Sequence, residues 1–425
     1  MAYEPARTNP RPAGDAEPDR PLAICASRVF DPVTGTHLEN HAVLIRGAAI
    51  AWTGPRSALP HDCVIADFPD CTVLPGLIDA HVHLAWHPWV DDRDEIADRD
   101  RVRDRALTNA FEHARRGVTT VRDLGAPSGG VIAAARVLAG DGSDSVFAAG
   151  RAIGAPGGHA AAIARSARGP QAMRRAVEEE IAAGARCVKV MATGGVLGPA
   201  EDPATVEVDS GEIQAVVAAA HAHGVPVAVH AHATAAIRDA VRAGADSIEH
   251  ASGLDDSTAM LMAEHGTRMV PTISPLHIAA VGGAGAAFPD YLVAKAKTAL
   301  EAVRRAAAVA ARHGVVIVAG TDAGVPGQEH GNLLRELEAL AGIGMSPADC
   351  LRAATSHAAD LLNARDRGRL GIGSRADLVV VGADPLREPL SCLDRVQLVV
   401  QGGKVIRSAG HLAASSPHPP TNSSL

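Results

Sequence analysis

The amino-acid sequence predicts an α/β fold: a (β/α)8 TIM barrel with a small β-sandwich formed from both termini. Three observations predict it. The middle of the chain repeats a unit in which a helical pattern ends in glycine and an apolar, β-branched strand follows. Side chains that bind metals stand at the ends of five such strands. Residues 22–72 and 367–408 behave differently, because they contain short strands separated by turn signals.

The repeat of helix, glycine and strand predicts the barrel. Glycine suits the left-handed position just past a helix, and β-branched residues suit the strand that begins after it. The repeated glycines are Gly117, Gly184, Gly224, Gly244, Gly266 and Gly314. A polar residue follows each glycine by five to eight positions, at the expected end of a strand: Asp123, Lys189, His230, His250, Thr272 and Asp322.

Two further segments complete the set of eight strands. These are VLPGLIDAHVH at the front and residues 144–153 in third place. Strands that alternate with helices favour a parallel sheet, and a (β/α)8 barrel carries its site at the carboxyl ends of its strands. An open doubly wound sheet is the alternative, but only closure makes the first and eighth strands neighbours.

The same patterns predict the domain boundaries. We expect a disordered tail over 1–21, the first part of the β-sandwich over 22–74, the barrel over 75–364, the second part of the sandwich over 365–410 and another tail over 411–425. The first twenty residues are rich in proline and charge and lack the apolar core of a signal peptide. The uncharged run Met269–Pro289 contains Pro271 and Pro275, so we expect a strand and a loop and not a membrane-spanning helix.

Charge and cysteine content restrict the partners and the location. The formal net charge is −8 and no block of lysine or arginine occurs, so we expect no nucleic-acid partner. Six scattered cysteines without a CxxC pair are typical of reduced thiols in a cytosolic protein. We therefore expect a cytoplasmic protein without a membrane partner, and the sequence leaves a homo-oligomer open.

The polar residues at the strand ends predict a metal site. His81 and His83 are two residues apart, so on a strand both imidazoles face the same side and reach one divalent ion. Asp322 can supply an oxygen ligand and accept a proton, and His230 and His250 can hold a second ion. Imidazole and carboxylate ligands suit zinc, although geometry and availability also admit manganese or another ion. Each residue alone would ordinarily be structural; their joint order favours the ligand interpretation.

These strand ends resemble the amidohydrolase superfamily of metal-dependent hydrolases over nearly the whole chain. Stretches such as SIEHASGLDDSTAMLMAEHGTRMVPTI and GTDAGVPGQEHGNLLRELEAL resemble its imidazolonepropionase-like group, which includes Xaa-Pro dipeptidases and ochratoxin-hydrolysing amidases. The resemblance of CVKVMATGG implies that Lys189 forms a carbamate that bridges two metal ions. It further implies a metal-bound hydroxide as the nucleophile, with Asp322 passing a proton to the leaving nitrogen.

The resemblance also implies residues that contact the substrate. His159, in GAPGGHAA, matches a family histidine that binds the substrate carbonyl or stabilises the oxyanion. His232 is a further candidate contact. His330 stands where close relatives often carry a histidine, or it caps the final helix. Val208 occupies the position of a tyrosine in dipeptidase relatives, which removes one expected contact to a substrate carboxylate.

The sequence therefore predicts a metal-dependent amidohydrolase that hydrolyses a C–N amide bond in a small molecule. A dipeptide or N-acyl amino acid is the favoured substrate, as in a dipeptidase of the Xaa-Pro or carboxypeptidase type. One alternative is a cyclic-amide hydrolase of the imidazolonepropionase type with one metal ion. Another is a non-catalytic assembly barrel, against which the complete ligand set argues.

Overall fold

A computed structural model describes residues 20–85, 98–282 and 288–409. The two predicted tails therefore lie almost wholly outside the described residues. The strands are β1 Leu22–Asp31, β2 Thr36–Arg46, β3 Ala49–Pro55, β4 Val64–Pro75, β5 Leu77–Val82, β6 Val118–Asp123, β7 Val146–Ala148, β8 Ala152–Gly154, β9 Ala164–Ser166, β10 Val188–Met191, β11 Val227–Ala231, β12 Ser247–His250, β13 Arg268–Val270, β14 Leu378–Val381, β15 Val396–Gln401 and β16 Lys404–Ser408. The helices are α1 Arg99–Arg115, α2 Gly130–Gly140, α3 Pro170–Ala183, α4 Ser210–His221, α5 Thr234–Ala243, α6 Asp256–His265, α7 Ile273–Ala280, α8 Asp290–Arg312, α9 Leu334–Gly342, α10 Pro347–Ala353 and α11 Ser356–Leu361.

Both ends of the chain pair in a single seven-stranded sheet. Its strand order is β16-β15-β14-β4-β1-β2-β3, and β14 runs antiparallel to β4. The backbone of Ile50 in β3 exchanges hydrogen bonds with Gly373 and Ser374, which precede β14. Buried side chains from both ends, such as Val43 and Leu378, belong to one apolar cluster. Strands from the two predicted parts of the β-sandwich therefore share one sheet, whereas the sandwich itself and the domain boundaries stay predictions.

The middle of the chain is an α/β arrangement of parallel strands and helices. The strands form a three-stranded sheet, β5-β6-β7, and a six-stranded sheet, β13-β12-β11-β10-β8-β9. All six glycines of the repeat have positive φ, between 69° and 107°, and three of them directly cap α3, α5 and α6. The left-handed position predicted for these glycines is therefore confirmed.

The eighth predicted strand is only partly formed. Residues 315–320 make an isolated parallel bridge from Ile317 to Met269, and Ala80 donates to the carbonyl of Ala319 on the other side. The carbonyls of Ala353 and Ala354, where α10 ends, accept hydrogen bonds from Ala319 and Ile78. Backbone N–H groups of Ile78 and Ala319 thus bond to the end of a helix, and they are not available for a continuous ladder of hydrogen bonds between β5 and this segment.

Other segments also differ from the expectation. The predicted third strand is divided into β7 and β8, and β9 was not predicted. The loop expected after β13 is wrong, because Ile273–Ala280 is a helix. Pro275 lies in its first turn, where a missing backbone N–H breaks no helical hydrogen bond. Within the described ranges, no helix is both long and apolar enough to cross a membrane.

Candidate active site

Residues from five separate segments meet around one small cavity, four of them at or near β5, β10, β11 and β12 and the fifth at Asp322. The six predicted ligands and His159 all line it: His81, His83, Lys189, His230, His250 and Asp322. Five of the six are buried, and the side chain of Asp322 is 15% exposed. The structure therefore brings together the whole set that the sequence placed at the strand ends.

Asp322 lies between the two histidines of the first strand. Its Oδ1 is 3.4 Å from Nε2 of His81 and 3.3 Å from Nε2 of His83. Ligand atoms of His81, His250 and Asp322 all lie within 4.8 Å of one another. Burial alone would raise the pKa of Asp322, but the two neighbouring histidines lower that pKa well below its usual value. An ionised carboxylate beside imidazoles is a donor set that fits a divalent cation.

In three of the histidines, Nδ1 has a hydrogen-bond partner on the side of the ring away from the cavity's other ligands. Nδ1 of His81 lies 2.8 Å from Oε2 of Glu249, and Nδ1 of His250 lies 2.6 Å from the Thr272 hydroxyl. Nδ1 of His83 donates to the carbonyl of Gly125 at 2.9 Å. Such partners fix the ring orientation and the tautomer of a metal ligand. For His81 and His83, Nε2 is the ring nitrogen that lies beside Oδ1 of Asp322.

The histidines of β11 and β12 are electrostatically suited to bind a cation. Burial lowers the pKa of His230 and of His250 well below the usual value, and the neighbouring histidines add to the effect. Burial likewise lowers the pKa of His232 to about 3. Metal ligation requires neutral imidazoles, so these three rings meet the requirement at neutral pH.

Lys189 is the least satisfied polar group of the cluster. Its side chain is 1% exposed, and Nζ makes no hydrogen bond with any described residue. Burial lowers its pKa to about 8, although the charges of Glu249 and Asp322 act in the opposite direction. A buried amine without a partner is costly, because it has lost its hydration and gained no hydrogen bond. The described residues therefore leave this buried amine without a compensating contact.

The strand ends that carry the site have unusual backbone conformations. His250, Thr272 and Asp322 have φ values of 68°, 49° and 56°, in the left-handed region that non-glycine residues seldom adopt. Each such residue costs on the order of 1–3 kcal/mol and is typically found at functional sites. The surrounding structure thus holds His250, Asp322 and the Thr272 hydroxyl that contacts His250 in conformations that the local backbone disfavours.

A buried network behind the cluster escaped the sequence analysis. Arg122 is 1% exposed and donates to Oε1 of Glu249 at 2.9 Å, while the other oxygen of Glu249 faces His81. Asp79 accepts from the backbone and hydroxyl of Thr321, and burial raises its pKa to about 7. A charged residue inside an apolar strand and next to a predicted ligand, as in SIEH, is the signal that could have revealed Glu249.

A second, larger cavity adjoins the first. It shares His159, His230, His250 and Asp322 with the small cavity and also includes His232. The rest of its lining is Thr272 and ten apolar residues: Val196, Leu197, Pro275, Leu276, Ala279, Phe288, Leu292, Ala296, Val325 and Pro326. We call these ten residues the apolar wall. Most of them come from α7, α8 and the chain between them.

The three predicted substrate residues have different placements. The ring of His159 stacks on His230 with centroids 4.4 Å apart, and His232 stacks on His250 at 5.1 Å. His330 instead lies beside His113 of α1, with ring nitrogens 3.2 Å apart. It lines neither cavity among the described residues, so a substrate contact through His330 stays a prediction without geometric support.

The sequence model of the amidohydrolase family matches residues 72–406. The chain belongs to the amidohydrolase family. The predicted superfamily is therefore confirmed, and the matched range includes all six predicted ligands. Family membership makes this chain an amidohydrolase-type hydrolase, and divalent metal binding is a general property of amidohydrolases.

Three relatives locate the chain within the amidohydrolases. Ochratoxinase from Aspergillus niger is 29% identical over 437 residues, which is 92% of this chain and 87% of that protein. The imidazolonepropionase of Deinococcus radiodurans is 27% identical over 396 residues, 83% of this chain and 88% of that protein. A crystal structure of a Xaa-Pro dipeptidase with bound methionine has a TM-score of 0.82 and 30% identity, over 91% of this chain and 99% of that one. The predicted group is confirmed.

Proposed function

We propose that this amidohydrolase is a metal-dependent enzyme that hydrolyses the amide bond of a dipeptide or N-acyl amino acid with an apolar side chain or acyl group. The observation that carries the proposal is the buried cluster of six candidate ligands. Two of its atoms, Lys189 Nζ and Asp322 Oδ1, lack a hydrogen-bond partner among the described residues. Unpaired buried polar atoms in a native structure call for an explanation, and an ion or a modification supplies one.

The proposed scaffold is a closed (β/α)8 barrel with the terminal sheet folded as a sandwich. Isolated bridges support the closure, because one joins Met269 to Ile317 and another joins Val82 to Ala323. The backbone N–H of Arg186, just before β10, also donates to the carbonyl of Ala148 at the end of β7, so the two sheets are in contact there. A closed barrel explains how β5 and the segment before Asp322 become neighbours.

We propose two divalent ions, with zinc as the first candidate. His81, His83 and Asp322 would hold one ion, His230 and His250 the other, and a carbamate on Lys189 would lie between them. When bound, such ions activate a water molecule and polarise the scissile carbonyl. The residues of this chain would move the proton of that water. Asp322 would accept it at its carboxylate and return it to the leaving nitrogen. His159 would contact the substrate carbonyl.

The apolar wall supports an apolar substrate group. No lysine or arginine lines the larger cavity within the described residues, and Val208, where dipeptidase relatives carry tyrosine, is fully buried. Burial of apolar surface contributes about 25 cal/mol per Å², so the wall would bind an alkyl or aryl group and reject a charged one. The methionine bound to the related Xaa-Pro dipeptidase has an apolar side chain, which agrees with this preference.

A substrate screen with parallel metal analysis tests the proposal. Zinc-loaded and manganese-loaded protein is assayed on N-acyl amino acids, dipeptides and cyclic amides, and ions per chain are counted. We expect about two ions and the highest turnover on apolar N-acyl amino acids or dipeptides. One ion with turnover of cyclic amides alone would replace the proposal with a cyclic-amide hydrolase. No metal and no turnover would indicate a non-catalytic barrel.

The variant Lys189→Ala tests the bridging role in the same assay. It should lose both metal and turnover, because both ions lose a shared anionic ligand. The exposed Lys297 of α8 provides the matched control, and Lys297→Ala should keep both. Full metal content and activity in Lys189→Ala would refute the bridging role.

A further inference from the structure

A further cavity lies outside the candidate active site, where side chains of α7, α8 and α9 meet. We call it the helix cavity. Its volume is about 420 Å³, whereas a single water molecule needs only roughly 10–15 Å³ of such space. None of the described residues that line it belongs to the two cavities of the active site. The helix cavity is therefore a separate space with room for an organic molecule.

Three charged side chains that line the helix cavity lack a partner of opposite charge. Arg304 of α8 and Arg335 and Glu338 of α9 form no ion pair with one another or with any other described residue. Nη2 of Arg304 lies 3.5 Å from Nδ1 of His277, a contact at the limit of hydrogen-bond length that leaves the charge uncompensated. By contrast, Arg312, farther along α8, has an acidic partner at 3.2 Å. The helix cavity thus presents two free cations and one free anion.

Apolar side chains lie beside these charges. Ile278 of α7 and Ala339 of α9 line the helix cavity, and Val281, just past α7, is 67% exposed in it. Covering such apolar surface with an apolar group is favourable, by about 25 cal/mol per Å². Helix α7 also contributes three residues to the apolar wall, so a ligand in the helix cavity would contact a helix that borders the active site.

We propose that the helix cavity binds a free α-amino acid with an apolar side chain. Its carboxylate would lie at Arg304 and Arg335, because guanidinium groups form strong, paired hydrogen bonds with carboxylates. Its ammonium group has only donors and would face the carboxylate of Glu338. Its side chain would cover Ile278 and Val281. Such an amino acid belongs to the class of products of the proposed hydrolysis, but its binding requires no hydrolysis and does not rest on the proposed function.

The lining favours an amino acid over a simpler ion. Inorganic phosphate would meet the two arginines, but it would add negative charge to a cavity that already holds the carboxylate of Glu338, and it would leave the apolar side chains uncovered. A simple amine would meet Glu338 and leave both guanidinium groups uncompensated. Only a molecule with a carboxylate, an ammonium group and an apolar part uses every feature of the lining.

Calorimetric titration of the zinc-loaded enzyme with L-leucine tests the site. The double variant Arg304→Met, Arg335→Met should bind leucine in the helix cavity about tenfold more weakly or worse, the size of a lost charge-assisted hydrogen bond. Arg305→Met is the matched control, because Arg305 is an exposed arginine of the same helix that does not line the cavity. It should bind leucine as the parent does. Leucine bound only in the active site would bind all three proteins alike, which would overturn the proposal.

Two leucine analogues that contain no amide bond test the class of ligand. 4-Methylpentanoate lacks the amino group and 3-methylbutylamine lacks the carboxylate, so the parent should bind both more weakly than leucine. Glu338→Gln should abolish the advantage of leucine over 4-methylpentanoate, because the ammonium group loses its anionic partner. A retained advantage would overturn the amino-acid assignment, and so would phosphate binding that the double variant loses without any such binding of leucine. Each result is independent of whether the enzyme cleaves any tested amide.

Discussion

The cavity system has two regions of opposite character. We call the six candidate ligands the floor and compare it with the apolar wall. The floor consists of buried polar groups, most of which are oriented by a partner behind them, such as Glu249 behind His81. The wall consists of side chains such as Leu276 and Leu292, which contact one another and the cavity without hydrogen bonds.

This difference predicts how each region responds to substitution. In the floor, removal of one member leaves a buried partner unpaired, so the loss exceeds the value of the contact itself. In the wall, side chains of similar volume can replace one another at modest cost, because the interaction is not directional. The floor should therefore determine whether the reaction occurs, and the wall should determine on which substrate it occurs.

The largest expected effect is that of Asp322→Asn in the floor. The amide retains an oxygen ligand and the size of the side chain but cannot accept a proton. We expect most of the metal to remain and turnover to fall at least about 10³-fold, beyond the lower range of about 10² for general acid–base loss. Metal analysis and kcat are measured on the same preparation. An Asn variant within tenfold of the parent would remove Asp322 from the proton transfer.

The next effect concerns the network behind the floor. Arg122→Met leaves the carboxylate of Glu249 buried without its cation, and Glu249 is fully buried. Breaking a buried pair in this way typically costs about 3–5 kcal/mol of unfolding free energy. Urea unfolding of the metal-free protein measures it. The matched control is Arg312→Met, whose exposed pair with Asp256 should be worth less than about 1 kcal/mol.

The double variant Arg122→Met, Glu249→Leu sharpens this result. Because an apolar replacement of a buried pair is often neutral or stabilising, the double variant should recover much of the lost stability. It should still bind metal more weakly, because Nδ1 of His81 has lost the acceptor at 2.8 Å. Recovery of both properties would show that Glu249 contributes nothing to the orientation of His81.

The sequence predicted the floor because short sequence patterns mark its residues. The network behind the floor joins residues far apart in the sequence, so no short pattern marks it. Each ligand lies in or just past an apolar segment, and Lys189, His230, His250 and Asp322 also follow a glycine-ended helix within ten residues. Arg122 and Glu249 are 127 positions apart, so their pairing depends on the fold. His330 failed to join the cluster for a similar reason. Its motif was recognised by position, but the structure brings it against His113.

The secondary structure could be predicted where a single local backbone preference determines the conformation. The glycines of the repeat were expected to adopt positive φ, and all six do. Helix α7 was missed because prolines and glycines surround it, although Pro275 at a first turn is compatible with a helix. The eighth strand has the β-branched composition of a strand, but hydrogen bonds from the end of α10 interrupt its ladder, and no local pattern encodes them.

A smaller effect is expected in the wall. Leu292 of α8 is 1% exposed and lines the larger cavity, whereas Leu300 of the same helix packs in the main core. Leu→Ala at either position should reduce stability by about 2–5 kcal/mol. Only Leu292→Ala should change the ratio of kcat/KM between bulky and small apolar substrates, by about tenfold or more. An equal ratio in the two variants would mean that the wall does not select the substrate.

The smallest effect is a pH dependence that separates Lys189 from the rest of the floor. Burial lowers the pKa of Lys189 from 10.5 to about 8, so between these pH values the unfolded chain holds a proton that the folded chain has released. The free energy of unfolding therefore gains a contribution that rises with pH in this window and is constant below it. Lys189→Met lacks this contribution, and titrations of other groups cancel in the comparison. In metal-free, bicarbonate-free buffer the variant should be the more stable protein at pH 7, and its advantage should shrink steadily towards pH 10. Urea unfolding at four pH values measures the difference, and an advantage that stays constant would mean that burial does not destabilise the charged amine.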